Sequence, residues 1–197
     1  YSVAMSADGT KQTAVISGGN IWTSADSGAT WIERPLVPAV TKNWRSVAIA
    51  ADDSKIQTAV VYGGNIWTSI NAGVNWIERP LVPDVPKNWF SVAMSANGDI
   101  QTAVVDGGNI WTSIDAGVTW TERPYNQSWR TVAMSADGTK QIAGTFRGEI
   151  WNSTDNGVTW GINSPLYTWQ SVAMSADGTK QTAVVRNGNI WTSADSG

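Results

Sequence analysis

The sequence predicts an all-β fold: a five-bladed β-propeller built from four-stranded antiparallel blades with acidic turns. Three observations predict it. The chain repeats in phase, with Val3, Val47, Val92, Val132 and Val172 in register and Trp22, Trp67, Trp111, Trp151 and Trp191 in register behind them. Each repeat of about 40–45 residues holds four short strand-like pieces separated by turns, the pattern of radially repeated blades. No window shows a 3.6-residue apolar period, so helices are not expected.

The elements of one repeat follow in order. "SVAMS" and "QTAVV" are rich in strand-forming residues, and the turn "SADGTK" joins them. "GGN" supplies the next turn, with glycine available for positive φ. "NIWTS" is the third strand. An acidic glycine turn follows, and a fourth strand such as "TWTERP" ends at proline. Neighbouring residues within "TAVV" and "NIW" are apolar, so both sheet faces are expected to be buried. Sheets stacked face to face around an axis satisfy this. A β-solenoid usually has shorter repeats, and a sandwich needs no such period. The 197 residues are read as one domain, with repeats at about 1–43, 44–88, 89–128, 129–168 and 169–197, the last incomplete.

The 13 tryptophans fall into the same rhythm. One slot precedes the first strand (Trp44, Trp89, Trp129, Trp169), one lies in "IW", and one ends the acidic turn (Trp31, Trp76, Trp120, Trp160). The first of these slots is expected to pack between blades.

Composition excludes several functions. The chain has no cysteine and no histidine, so it offers no soft metal site, no thiol nucleophile and no imidazole base. No cofactor and no metal are expected. Net charge is −3 without a dense basic run, which argues against a nucleic-acid partner. Apolar runs are too short for membrane insertion. No targeting segment is visible.

The acidic turn reads "SADSGATW" at 24–31, "SINAGVNW" at 69–76, "SIDAGVTW" at 113–120 and "STDNGVTW" at 153–160, and it begins again as "SADSG" at 193–197. Short serine and aspartate side chains can hydrogen-bond the backbone of their own turn, and glycine tightens it. Asn71 can keep much of that bonding without the charge. The octapeptide resembles the Asp-box, or bacterial neuraminidase repeat, of sialidase-like propellers. That resemblance implies a scaffold role at the corner between third and fourth strands, away from any catalytic face, and an extracellular or cell-surface setting. It also raises the glycoside hydrolases of the same class. Sialidases use three arginines, a tyrosine–glutamate pair and an acidic aspartate, with an "RIP"-type motif that this chain lacks. Arg34, Arg79 and Arg123 recur with Glu33, Glu78 and Glu122 in "ERP", which suits blade structure better than one active site. No catalytic residue is assigned, and the chain is read as a non-enzyme.

Binding is expected where the repeat breaks. One face carries "SADGTK" and the acidic turns, nearly constant between repeats. The other carries the second hairpin turn and the connections between blades, which vary. Its candidates for ligand binding are Arg45, Phe90, Arg130 and Gln170 after the first tryptophan slot, and Tyr62, Asp106, Phe146 and Arg186 before the second hairpin glycine. Tyr1 and Ser17 occupy the matching positions of the first repeat. Such residues suit a glycan or a protein surface. A multivalent, lectin-like protein is the alternative, with the first tryptophan slot, Asn43 and Asn88 as its repeated exposed residues. A glycoside hydrolase remnant is the second alternative. The incomplete last blade leaves an unpaired edge, as expected of a truncated chain, of a strand supplied by another chain through exchange or an oligomer, or of a section of a longer array.

Overall fold

The computed structural model describes all residues 1–197, and its elements are strands and turns without a helix. The first blade contains Ser2–Met5, Gln12–Val15, Ile21–Ser24 and Ile32–Arg34, paired antiparallel in that order. The second contains Lys42–Ile49, Gln57–Gly64, Ile66–Ser69 and Ile77–Arg79. In the third, Lys87–Met94 pairs with Gln101–Ser113, which runs through the second hairpin turn. Thr121–Met134 then closes the third blade and opens the fourth, which continues with Gln141–Thr145, Ile150–Ser153 and Gly161–Ile162. The last blade has three strands: Trp169–Met174, Gln181–Val185 and Ile190–Ser193.

Four small cores hold successive blades together, three built alike and the fourth with Ile142, two residues earlier in its strand, in place of the valine. One blade contributes its second-strand Val15, Val60, Val104 or Ile142 and its third-strand Ile21, Ile66, Ile110 or Ile150. The next contributes Trp44, Trp89, Trp129 or Trp169 with Val47, Val92, Val132 or Val172. These four tryptophans are fully buried. They are inter-blade packing, as expected, and burial removes them as the sugar platform that a repeated lectin site would need. Each also meets the "IW" tryptophan of its own blade edge to face, at about 6 Å in the case of Trp44 and Trp67.

A buried glutamine locks each of the first three interfaces. Gln57, Gln101 and Gln141 accept from Thr13, Thr58 and Thr102 of the preceding blade at 2.7–2.8 Å. Their amide nitrogens donate to the first turn of their own blade, at Ser54, Gly98 and Gly138. The fourth interface lacks the lock, because Ile142 stands where the other blades carry threonine.

No strand of the first blade pairs with the last. Val3 is 59% exposed and Ile190 is 71% exposed, while their counterparts inside the array are buried. The outer faces of the two end blades therefore carry the two halves of the interface that recurs between them.

The acidic turns close on themselves. Ser24, Ser69, Ser113 and Ser153 accept the N–H of Gly28, Gly73, Gly117 and Gly157 at 2.9–3.0 Å, and donate to Asp26, Asn71, Asp115 and Asp155. Asp26 in turn accepts from the Thr30 amide and hydroxyl. Asn71 keeps the amide bond, to Asn75, without the charge. The tryptophan that ends each turn donates Nε1–H back to the glycine carbonyl at 2.9–3.1 Å. The residue before the glycine is left-handed too, with φ of 61° at Ser27 and 58° at Ala116. A Cβ on Gly117 would sit 2.8 Å from Gln101 Oε1, so glycine is required where turn meets lock. The recurring "ERP" side chains are also structural. Arg34, Arg79 and Arg123 donate to Thr23, Thr68 and Thr112, and Glu33, Glu78 and Glu122 accept from Asn20, Asn65 and Asn109.

Candidate functional site

Antiparallel strands put the first and third connections of each blade at one end and the second and fourth at the other. The first end is the acidic rim. The N–H of Ser27, Ala72, Ala116, Asn156 and Ser196 in the acidic turns bonds a carbonyl of the neighbouring first turn. At the opposite end the second hairpin turn pairs with the chain entering the next blade: Ser17 with Asn43, Tyr62 with Asn88, and Asp106 with Ser128. Phe146 and Arg186 donate backbone N–H groups to Ser128 and Thr168, the residues just before the tryptophan slots. This belt of pairing sets the variable side chains side by side.

The structure places seven non-repeated residues around one cavity of about 520 Å³: Tyr1, Arg45, Phe90, Arg130, Phe146, Gln170 and Arg186. Every blade supplies at least one of them. The remaining two predicted residues adjoin them. Tyr62 meets Arg45, and Asp106 pairs with Arg130 at 3.4 Å. All eight candidates read from the sequence are thus on one mouth. Ser17 does not line the cavity.

Aromatic rings and guanidiniums alternate around this mouth. Arg45 Cζ lies 4.5 Å from the Tyr1 ring centroid and 4.0 Å from that of Phe90. Arg130 Cζ lies 4.3 Å from Phe90 and 4.6 Å from Phe146. Arg147 extends the series, 5.2 Å from Phe146. Such cation–π contacts fix guanidinium planes without neutralising them. Arg45 also donates to the Tyr1 hydroxyl. The Nε–H groups of Arg45 and Arg130 are buried and have no acceptor.

Tyr1 lines the cavity and Arg147 borders it, and neither is among the eight candidates read from the sequence. A signal for Arg147 exists in the alignment of repeats. It occupies the turn position held by Gly18, Gly63 and Gly107 elsewhere, and it keeps their left-handed backbone, with φ of 59°.

The titration shifts lie on the other face. Hydrogen bonds from the Thr30 hydroxyl and amide and from Ser24 hold the Asp26 carboxyl down to about 2. Ser6 and Thr10 do the same for Asp8, also to about 2. At Asp115 and Asp155 burial pushes upward, but the bonds from Thr119 and Thr159 and from Ser113 and Ser153 together outweigh it. No group of three or more acidic side chains gathers in a way that could hold a metal ion.

The fold has well-matched counterparts among solved structures. A structure described as YCF48 bound to D1 peptide superposes with a TM-score of 0.71 at 17% identity, over 96% of this chain and 61% of that one. YCF48 from Cyanidioschyzon merolae gives 0.72 at 16%, over 99% and 66%. The GH74 enzyme of Niastella koreensis gives 0.72 at 16%, over 98% of this chain and 30% of that one. The chain therefore spans less than two thirds of the length of the YCF48 structures. These likenesses establish the propeller fold. No protein-family model matches the sequence, and neither does any curated protein.

Proposed function

We propose that this chain is a non-catalytic propeller module of the Asp-box kind, and that its arginine–aromatic mouth docks a segment of a partner protein. One observation carries the reading. Seven side chains that escape the repeat, at least one from every blade, converge on one cavity, whereas the repeated ones are spent on inter-blade cores and self-closed turns. Asymmetry at one mouth suits a single asymmetric ligand better than one sugar per blade. The YCF48 structure described with a D1 peptide supports the reading, since a propeller of this shape there holds a peptide. The GH74 likeness does not favour catalysis, because the one carboxylate among the predicted mouth residues, Asp106, is engaged by Arg130.

Selection of a displayed random-peptide library on the immobilised chain tests this. Binders are expected, and Phe90→Ala should abolish them while a rim change such as Asp53→Asn does not. Turnover of a fluorogenic glycoside, or glycan-array binding with no peptide binders, would overturn it.

A further inference from the structure

We infer that the mouth is a carboxylate site and that the segment it takes is an acidic peptide. This rests on the docking reading above and names the chemistry of its ligand.

The charges at the mouth do not balance. Arg45, Arg130 and Arg186 line the cavity, Arg147 borders it at Phe146, and Asp106 is the carboxylate paired there, on a chain whose net charge is −3. Only Arg130 has an acidic partner within salt-bridge distance. Arg45 has none. It is held by Tyr1, Tyr62 and Phe90, which occupy guanidinium surface and supply no countercharge. Stacking leaves the Nε–H groups of Arg45 and Arg130 without an acceptor, and N–H donors along a guanidinium edge match a carboxylate in bidentate geometry. Arg147 adds a second line of support. A left-handed backbone is costly for arginine, and three other blades use glycine at this position. The chain carries strain there to place one more cation beside Phe146.

Acidic peptide is favoured over acidic sugar by what the rings already do. Phe90 engages two guanidiniums and Phe146 engages two, so these rings are not free platforms for a pyranose. The four arginines come from the second, fourth and fifth blades, which suits several carboxylates spaced along one extended strand.

Fluorescence anisotropy with a fluorescein-labelled hexaglutamate peptide, at low ionic strength, tests the inference. Hexaglutamine and a galacturonate oligomer serve as comparisons. Hexaglutamate is expected to bind and to weaken as salt rises. Arg45→Gln or Arg130→Gln should weaken it by roughly tenfold to a hundredfold, the span expected for losing a charge-assisted bond. Arg186→Gln gives the same direction from an exposed side chain, which covers the case of Arg45→Gln failing to fold. Lys55→Gln on the acidic rim should change nothing. Hexaglutamate binding no tighter than hexaglutamine overturns the inference. So does an equal loss in Lys55→Gln, or tighter binding of galacturonate than of hexaglutamate. Neutral display-selected peptides that still need Phe90 would leave docking intact and sink the carboxylate; absence of any peptide binder would sink both.

Discussion

The acidic rim and the arginine mouth stand at opposite ends of the same strands, and they treat charge in opposite ways. At the rim, the carboxylates of the acidic turns are answered within their own turn: Asp26 by Ser24 and Thr30, Asp115 by Ser113 and Thr119, Asp155 by Ser153 and Thr159. At the mouth, Arg45 is answered by rings and by a neutral hydroxyl, and its Nε–H by nothing. A satisfied charge is structure; an unsatisfied one is capacity. Repetition produced the first kind here, and departure from repetition produced the second.

The comparison breaks most severely if the shared support beneath both ends is removed. Trp89→Ala empties the core between second and third blades and should cost about 3–5 kcal/mol in urea unfolding. Its Nε1–H also holds the Gly64 carbonyl, at the mouth-side turn, so rim and mouth should fail together. Gly117→Ala is the next largest. Its Cβ would press on Gln101 Oε1 and on the Thr68 methyl, at 2.8 and 2.9 Å, from a left-handed backbone. A loss of about 2 kcal/mol or more is expected, again by urea unfolding. Hexaglutamate affinity in the folded fraction should be unchanged, which separates rim from mouth.

Acid sharpens the same contrast. Asp8 and Asp26 have folded-state values near 2, below the ordinary carboxyl value of 3.8. Unfolding therefore favours proton uptake. Their contribution is fully present above about pH 5 and drains away as pH falls towards 2. The urea midpoint should be flat from pH 7 to about 5 and should then decline. Asn71 shows that an amide keeps the turn bonded, so Asp26→Asn should flatten part of that decline. A midpoint independent of pH between about 5 and 2 would contradict the hydrogen-bonded rim.

Much of this was legible because repeats align themselves. The tryptophan slots, the acidic corners and the mouth all follow from asking which positions recur and which do not. The eight candidate residues came from that question alone. Other features were hidden for physical reasons. The glutamine lock joins Thr58 to Gln101 across a blade boundary, and local strand pattern says nothing about a partner so far along the chain. The bond from the tryptophan that closes each acidic turn was hidden as well, since its N–H direction depends on the finished corner. Whether end blades meet depends on the wedge angle of each interface, which the repeated residues share but do not spell out. The missing fourth-interface lock was visible as Ile142 in place of threonine, but only once the role of that threonine was known.

The smallest expected effect separates the two kinds of position most cleanly. Arg147 has a backbone that suits glycine. Replacing it by glycine removes a left-handed penalty of about 1–2 kcal/mol, and returns part of that through the greater freedom of glycine in the unfolded chain. Arg147→Gly should therefore be more stable by about 0.5–1 kcal/mol and should bind hexaglutamate less tightly. The reverse change belongs in the third blade. A Cβ on Gly107 would touch nothing within 4 Å, so only the backbone resists a side chain there. Gly107→Arg should lose about 1 kcal/mol and gain hexaglutamate affinity. If both variants shift stability as expected while affinity stays fixed, the strain at Arg147 is unrelated to binding, and the mouth loses its second line of support.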